Sequence, residues 1–441
     1  MSANEILAIM CILSFFGMLA IGIPVALTLA VSGLVFGYLG FGPLLFNLLP
    51  ARIFGVIANY TLIAIPLFVF MGVMLEKSKL ADELMDVIGH LAGARSGGMA
   101  IGIVLVGVLM GATTGIVGAT IVTLGVITLP ALMRRNYHLP TACGTICASG
   151  TLGQIIPPST ILILLADILG QSVGTLFAAA LLPGLLLAAV FCIYLFVLGI
   201  VRPDMVPPVS LAERETITRS DLIKKAIRVG VPPVALVLAV LGSIIGGVAA
   251  PTEAASMGAL GSILVVALAG RFSLGLLRDV TLATTRITAG MMFILVCAQV
   301  FALTFRGLNG EQLVHDLFKW IPGGINSDIL FMMLIIFVLG FFIEWIEISY
   351  IVVPLFLPIL QAANVDLVWV AVLIAVNLQT SFLTPPFGWA LFYLRSVAPA
   401  SVPTIAIYKG VVPFIILQLI TLATIFFWPN IATWLPRAIG W

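Results

Sequence analysis

The chain has 441 residues, of which 62% are hydrophobic and only 9% are charged, and its formal net charge is +2. A soluble domain carries about 25% charged residues, so the composition excludes a soluble protein and indicates many membrane spans of roughly 20 apolar residues. The net charge is uninformative about partners, but the chain has no basic block or basic stretch with interleaved aromatic residues that would suit nucleic acid. The cysteines all fall in apolar segments, and we interpret them as core residues rather than disulfide partners or metal ligands.

The first half of the chain predicts six apolar helical blocks, because lipid admits only helices and closed barrels as spanning structures. They run near 5–22, 24–42, 56–76, 97–133, 140–170 and 174–201. No Lys or Arg precedes the first block, so we interpret it as a retained helix rather than a cleaved signal. Between the third and fourth blocks, the spacing of leucines in 77–93 predicts an amphipathic helix lying along the membrane surface.

The second half repeats this order of segments. Its blocks run near 229–249, 252–270, 283–304, 327–361, 367–395 and 404–432, with an amphipathic piece at 309–321 after the third block. A long charged linker, 201–228, separates the halves. The matching order predicts an internal repeat of the kind found in membrane transporters.

The blocks 97–133 and 327–361 are too long for one crossing and have polar centres. We interpret each as a re-entrant hairpin, which leaves five crossings in each half and inverts the second half relative to the first. With the N-terminus outside, sixteen of the twenty Lys and Arg residues fall on the inner side. This bias favours a ten-crossing topology with both termini outside.

Each half also contains a Pro-Pro pair inside an apolar block, in "GTLGQIIPPSTILILLA" (150–166) and "LQTSFLTPPFGWALFYL" (378–394). Two prolines stop a helix and leave backbone carbonyls and N–H groups without partners. Such groups are tolerated in a membrane only where they line a polar cavity, and they suit a cation at one half-helix and an anion at the other. Two matched breaks facing two hairpin tips predict a central pocket and a secondary transporter. The candidate substrate-binding residues are Thr113, Thr114, Gln154, Pro157, Pro158, Ser159, Glu347, Ser381, Pro385 and Pro386.

Several charged residues need separate interpretation. Glu344 and Glu347 lie at the second hairpin tip, where an acid is costly and usually functional; they are candidates to bind Na⁺, take a proton or contact a partner. We interpret Glu253 as an N-terminal helix charge favoured by the helix dipole, with a capping carboxylate beside the site or a contact for a partner protein as the alternative. We interpret Asp167 as a solvated acid near the outer surface. No arginine is predicted in the pocket, so helix N-termini, hydroxyls and bound Na⁺ are expected to meet the charge of the substrate.

Five stretches carry a resemblance to a known family. They are "GATTGIVGATIVTLGVITLPALMRRNY", "CGTICASGTLGQIIPPSTILILLA", "GGVAAPTEAASMGALGSILV", "FFIEWIEISYIVVPLFLPIL" and "VNLQTSFLTPPFGWALFYLRSVAP". Over essentially the whole chain, the sequence resembles the large membrane subunit of tripartite ATP-independent periplasmic (TRAP) transporters. That family is similar in fold to the sodium-driven carriers of the ion transporter superfamily. The resemblance implies a small four-helix membrane subunit and a periplasmic substrate-binding protein as partners, in the bacterial inner membrane with both termini periplasmic.

The resemblance also implies a mechanism and its sites. A Na⁺ gradient, not ATP, is expected to drive uptake of an organic acid, while a transport domain slides against a scaffold as an elevator. The implied Na⁺ sites lie near Thr113, Thr114, Gly150 and Gly153 and near Glu344, Gln379, Thr380 and Thr384. The implied parts are scaffold helices (1–76 and 229–304), lateral arms (77–93 and 305–326), transport elements (94–200, 327–361 and 362–441) and a cytoplasmic linker (201–228).

Other functions remain as alternatives. The first is a stand-alone Na⁺- or H⁺-coupled carrier of the same fold that needs no binding protein. An intramembrane enzyme is disfavoured, because the central residues are Gln, Thr, Ser and Glu without a histidine partner. A channel is disfavoured because two inverted helix breaks suit an alternating-access transporter better. The sequence leaves the substrate open among monocarboxylates, 2-oxo acids and dicarboxylates.

Overall fold

The computed structural model describes residues 2–92, 94–209, 219–318 and 322–441, and every regular element within them is a helix. The helices of the first half are α1 (Ala3–Ala20), α2 (Val25–Phe41), α3 (Leu44–Ile57), α4 (Ala64–Lys77), α5 (Leu80–Ala92), α6 (Gly98–Thr114), α7 (Val117–Arg134), α8 (Leu139–Thr151), α9 (Thr160–Leu169) and α10 (Val173–Val201). Short 3₁₀ turns at Tyr60–Ile63 and Leu152–Gln154 precede α4 and follow α8.

The second half begins with α11 and ends close to the C-terminus. Its helices are α11 (Arg219–Ile245), α12 (Pro251–Leu268), α13 (Leu274–Gly307), α14 (Gly310–Phe318), α15 (Ile325–Leu339), α16 (Trp345–Ala362), α17 (Leu367–Leu383), α18 (Trp389–Val397), α19 (Thr404–Phe427) and α20 (Asn430–Ala438). A π-helical segment, Ile348–Val352, lies inside α16.

Within the described residues, nine helices are long and apolar enough to cross a membrane, and six further apolar helices are shorter. The chain is therefore an all-helical, multi-pass membrane protein, as its composition predicted. Length alone does not assign crossings to the shorter helices, so the ten-crossing topology, the inverted repeat and the re-entrant hairpins stay predictions.

Two helices were missed from the sequence, and two others, α11 and α13, were drawn too short at their N-terminal ends. Polar Asn47 and Arg52 and the internal Pro50 interrupt the apolar run of α3, while α20 is a short amphipathic helix with little net hydrophobicity. The predicted span 283–304 is part of α13, which continues for more than two turns towards its N-terminus. Polar residues on one face end an apolar run but not a helix.

The predicted amphipathic helices correspond to α5 and α14, and residue 93 of the first lies outside the described residues. Their placement along the membrane surface stays a prediction. Residues 319–321 of the second arm and 210–218 of the predicted linker lie outside the described residues. α11 begins at Arg219, so residues 219–228 of the predicted linker are helical.

The centre of the molecule is built on α8 and α17, whose residues are almost all buried. Gly144 of α8 lies against Gly410 of α19 so closely that a Cβ on Gly144 would be 1.9 Å from the Gly410 carbonyl oxygen. Small residues permit this close approach of two membrane helices. The buried hydroxyls of Thr145 and Ser149 donate to carbonyls one turn earlier, which satisfies them without another partner.

Glu253 lies in the first turn of α12, as predicted, and it also caps the helix. The backbone N–H of Ala250 donates to Glu253 Oε2 at 2.9 Å, and Pro251 occupies the first turn of the helix. This residue therefore satisfies a helix end.

Candidate functional site

The tip between α6 and α7 lies against the first helix break. α6 ends at Thr114, and Gly115 turns the chain with a φ of +59°. The Thr160 hydroxyl donates to the Gly115 carbonyl oxygen at 3.2 Å. One turn earlier, a Cβ on Gly111 would lie 2.5 Å from the Cα of Gly153. The two backbones are therefore in direct contact.

The first break separates α8 from α9. Between them, Pro157–Pro158 is a cis peptide bond, and the Ser159 hydroxyl donates to the Gln154 carbonyl oxygen at 2.5 Å. Pro157, Pro158 and Ser159 are all buried. A proline pair is not sufficient for a break, however, because Pro232 and Pro233 lie inside α11 without ending it.

The second break has the same form and touches the segment between α15 and α16. Pro385–Pro386 is also cis, between α17 and α18, with Pro385 half-buried and Pro386 exposed. A Cβ on Gly340 would lie 2.1 Å from Ser381 Oγ, and the rings of Phe342 and Phe387 are 5.7 Å apart. Ser381 itself donates to the Leu378 carbonyl, so its hydroxyl packs at this contact.

The two breaks also contact each other. Gln379 Nε2 donates to Thr151 Oγ1 at 3.3 Å, which joins α17 to the end of α8. The thiol of Cys147 approaches the Ala390 carbonyl oxygen at 3.7 Å. Segments more than 220 residues apart in sequence thus form one centre.

A cavity of about 290 Å³ opens at this centre, close to the lower bound for small-molecule sites. Its walls come from the first tip, the first break, α13, the start of α16 and α18. The lining residues are Gly115, Ile116, Val117, Gly118, Gln154, Thr160, Ile161, Arg286, Ile287, Gly290, Met291, Ile294, Glu344, Trp345, Ile346, Phe382, Trp389 and Tyr393.

Three buried polar atoms in this lining have no hydrogen-bond partner among the described residues. They are Nε2 and Oε1 of Gln154 and the indole Nε1 of Trp389. Gln154 is only 2% exposed. Burying an amide without partners is costly, so the arrangement is typical of a site that completes its hydrogen bonds with a ligand.

The other predicted residues lie around the cavity rather than in its walls. Glu347 is 1% exposed, and its Oε2 has no partner among the described residues. Thr113 and Thr114 border a separate cavity of about 30 Å³, which they share with Glu76 of α4. The Thr114 hydroxyl contacts that of Thr120 at 3.0 Å. The roles predicted for these residues stay predictions.

The expectation that the pocket contains no arginine is wrong. Arg286 belongs to α13 and lines the cavity together with Glu344 and Trp345 at the start of α16. The predicted topology counted Arg286 among the inner-side cations, although it falls within the predicted span 283–304. That position was the available signal, because a charged residue within a membrane helix usually faces a cavity or the interior of the bundle.

The interpretation of Asp167 as a solvated acid is also wrong. Its carboxylate is half-buried and accepts hydrogen bonds from Asn59 and Tyr350. Neither partner is near Asp167 in sequence, so no local pattern could predict these hydrogen bonds.

The residues around the breaks fit a bound Na⁺ in their chemistry, since a small hard cation prefers oxygen ligands. Gln379 Oε1 is buried without a partner among the described residues. The hydroxyls of Thr380 and Thr384 donate to carbonyls four residues earlier, which leaves oxygen lone pairs available to a cation. At the first site, Gly150 and Gly153 contribute only backbone groups; their lack of side chains permits contact with Ile121 and Gly111.

These features define a class of protein: an all-helical membrane protein whose two helix breaks meet at a central cavity with a few polar groups in its walls. The model of the family "Tripartite ATP-independent periplasmic transporter, DctM component" matches residues 12–431. The chain is similar to the C4-dicarboxylate TRAP transporter large permease protein DctM of Pseudomonas aeruginosa, with 30% identity over 398 residues, 89% of this chain and 90% of that protein. It is also similar to the ectoine TRAP transporter large permease protein TeaC of Halomonas elongata, with 26% identity over 95% of this chain and 96% of that protein.

A solved structure supports the fold. The YdaH transporter of Alcanivorax borkumensis superposes with a TM-score of 0.59 at 15% identity, covering 94% of this chain and 97% of that one. The chain belongs to the DctM family of TRAP transporter large permease subunits. It is thus a transport protein of the membrane and not an enzyme.

Proposed function

We propose that this chain carries out sodium-coupled uptake of an organic acid that a periplasmic binding protein delivers. The observation that supports this most directly is the meeting of two helix breaks at one cavity, with the amides of Gln154 and Gln379 left without full hydrogen bonding. Half-helix ends and free amides supply both donors for an anion and oxygens for a cation. Relatives whose names include a C4-dicarboxylate and ectoine support a small polar solute.

Na⁺ is proposed as the coupling ion. Gln379, Thr380, Thr384 and Glu344 would hold one ion, and Thr113, Thr114, Gly150 and Gly153 another. The bound cation would supply positive charge beside the substrate. The chain's own residues keep the cavity narrow and largely apolar, so that an acid enters only where its charge is met.

Transport is proposed to follow an elevator mechanism with two re-entrant hairpins in an inverted repeat. The moving part would contain α6–α10 and α15–α19, and the scaffold α1–α4 and α11–α13. The boundary between them is closely packed: a Cβ on Gly72 of α4 would lie 2.3 Å from the Cα of Thr114. Few polar bonds cross this boundary; one joins the Thr123 hydroxyl to Glu76 Oε1 at 3.1 Å.

The proposed assembly contains a small four-helix membrane subunit and a periplasmic binding protein, in the bacterial inner membrane with both termini in the periplasm. Exposed apolar side chains on α1–α3, including Leu13, Leu39 and Phe54, suit lipid or the small subunit.

The test is uptake by proteoliposomes that contain this chain and the small subunit, with the binding protein added outside. Uptake of the acid held by the binding protein should require an inward Na⁺ gradient and proceed without ATP. Uptake of the free acid without the binding protein would instead support the stand-alone carrier. Uptake that ignores Na⁺ but follows a proton gradient would overturn sodium coupling.

A further inference from the structure

The cavity at the helix breaks contains opposite charges on opposite elements. Arg286 comes from α13, and Glu344 lies directly before α16; they are the only charged residues in its described lining. Arg286 lies about 18 Å along α13 from its first residue, at a rise of about 1.5 Å per residue. Arg286 is exposed and lines the cavity from within α13.

These walls present hydrogen-bond donors that have no partner among the described residues. Arg286 forms no ion pair with any residue in the part of the chain that the structure describes. The indole N–H of Trp389 and the amide of Gln154 also lack partners there. A planar guanidinium matches the two oxygens of a carboxylate, and the neutral Gln154 amide suits a hydroxyl or keto oxygen.

Glu344 sets the opposite constraint. A ligand with two carboxylates would find one guanidinium and then place its second charge beside an acid. A second ligand carboxylate without a cationic partner would be unfavourable in this cavity. The negative charge of Glu344 in the wall would also repel it, and so disfavour dicarboxylates. If Na⁺ binds near Glu344, the ion offsets that acid and still leaves one cationic side chain for the substrate.

We propose that Arg286 is the carboxylate-binding residue of this cavity and that the cavity selects hydroxy- or oxo-monocarboxylates over dicarboxylates. This rests on the proposed function and narrows its substrate class. Because Arg286 belongs to the proposed scaffold and Gln154 to the proposed moving part, the carboxylate meets Arg286 only while the cavity lies beside α13.

The test is ligand binding to the purified two-subunit membrane complex in NaCl, followed by tryptophan fluorescence because Trp345 and Trp389 line the cavity. The probes are C3 to C6 hydroxy- and oxo-monocarboxylates, each compared with its primary amide and with the dicarboxylate of equal length. At least one monocarboxylate should bind at least about tenfold more tightly than its amide and its dicarboxylate, the scale of one charge-assisted bond.

Substitutions test whether Arg286 causes the preference for the carboxylate over the amide. Arg286→Gln should weaken the monocarboxylate by about tenfold or more and abolish the preference for acid over amide, and Arg286→Lys should restore part of it. Arg278→Gln, an exposed arginine two turns earlier on α13 and outside the cavity, should bind like the wild type.

The inference is overturned if no monocarboxylate binds, if dicarboxylates bind as tightly, or if Arg286→Gln binds like the wild type. Its failure is distinguishable from failure of sodium coupling. Na⁺-dependent binding of a dicarboxylate would agree with sodium-coupled uptake but contradict the selection of monocarboxylates. Monocarboxylate binding that needs Arg286 but not Na⁺ would agree with the role of Arg286 but contradict sodium coupling.

Discussion

Asn59 Nδ2 donates a hydrogen bond to Asp167 Oδ1 at 2.6 Å, across 108 residues of sequence. The other carboxylate oxygen accepts the Tyr350 hydroxyl at 2.9 Å. Asn59 precedes α4, Asp167 lies at the end of α9, and Tyr350 belongs to the π-helical segment of α16. One carboxylate thus connects the proposed scaffold to two elements of the proposed moving part.

The first prediction concerns the stability that this carboxylate provides. Asp167→Asn replaces one acceptor oxygen with a donor and removes the charge, so either Asn59 or Tyr350 loses its partner. We expect the free energy of unfolding to fall by about 1–3 kcal/mol, the range for a hydrogen bond to a charged group. The melting temperature of the purified protein measures it. The exposed Asp204→Asn is the control; equal shifts in both variants would refute a structural role for Asp167.

The second prediction tests whether these elements separate during transport. A protein with Asn59→Cys and Asp167→Cys should be cross-linked by a short bifunctional methanethiosulfonate reagent, because the native side chains meet end to end and the shorter cysteines leave a small gap. If α9 moves against the scaffold, the cross-link should lower uptake at least about tenfold, and reduction should restore it. The single-cysteine variants are the controls, since the native cysteines are free. Normal uptake by the cross-linked protein would rule out this movement.

The third prediction concerns the crossing of α8 and α19. Gly144→Ala would place a methyl group 1.9 Å from the Gly410 carbonyl oxygen, and backbone cannot move aside as a side chain can. We expect a loss of at least about 1–3 kcal/mol from overpacking, read as a lower melting temperature and lower yield. Gly17→Ala in α1, with no atom within 4 Å of the added Cβ, should be neutral or slightly stabilising. Equal behaviour of the two variants would show that the helices separate easily.

The fourth prediction separates a capping acid from a functional one. Glu253→Ala removes the acceptor for the Ala250 N–H and should cost about 0.5–1 kcal/mol of stability. Initial uptake rates, normalised to folded protein, should be unchanged. A large loss of uptake at normal stability would instead place Glu253 in the transport cycle.

Features that depend on a short segment of sequence were predicted correctly. Hydrophobic runs of helical length, proline pairs and the first-turn position of Glu253 are each readable from a short segment. The environments of Arg286 and Asp167 are not, because both depend on contacts with residues distant in sequence. The helices α3 and α20 were not predicted for another reason. Their polar residues lie on an exposed face, so these helices are defined by packing rather than by average hydrophobicity.

The proline pairs show the same limit. Pro157–Pro158 and Pro385–Pro386 lie between helices, while Pro232–Pro233 lie inside α11. The sequence of the pair is identical in all three places. The neighbouring hydroxyls and amides, and not the prolines alone, distinguish the two breaks that meet at the cavity.

The most direct test of sodium coupling is the melting temperature of the purified membrane complex in NaCl and in choline chloride at equal ionic strength. A bound ion stabilises the folded state by mass action, by about 2.7 kcal/mol when its concentration is 100 times its dissociation constant. We expect a Na⁺-specific rise that Gln379→Leu abolishes and Glu253→Gln retains. Equal melting temperatures in the two salts would contradict sodium binding at the helix breaks.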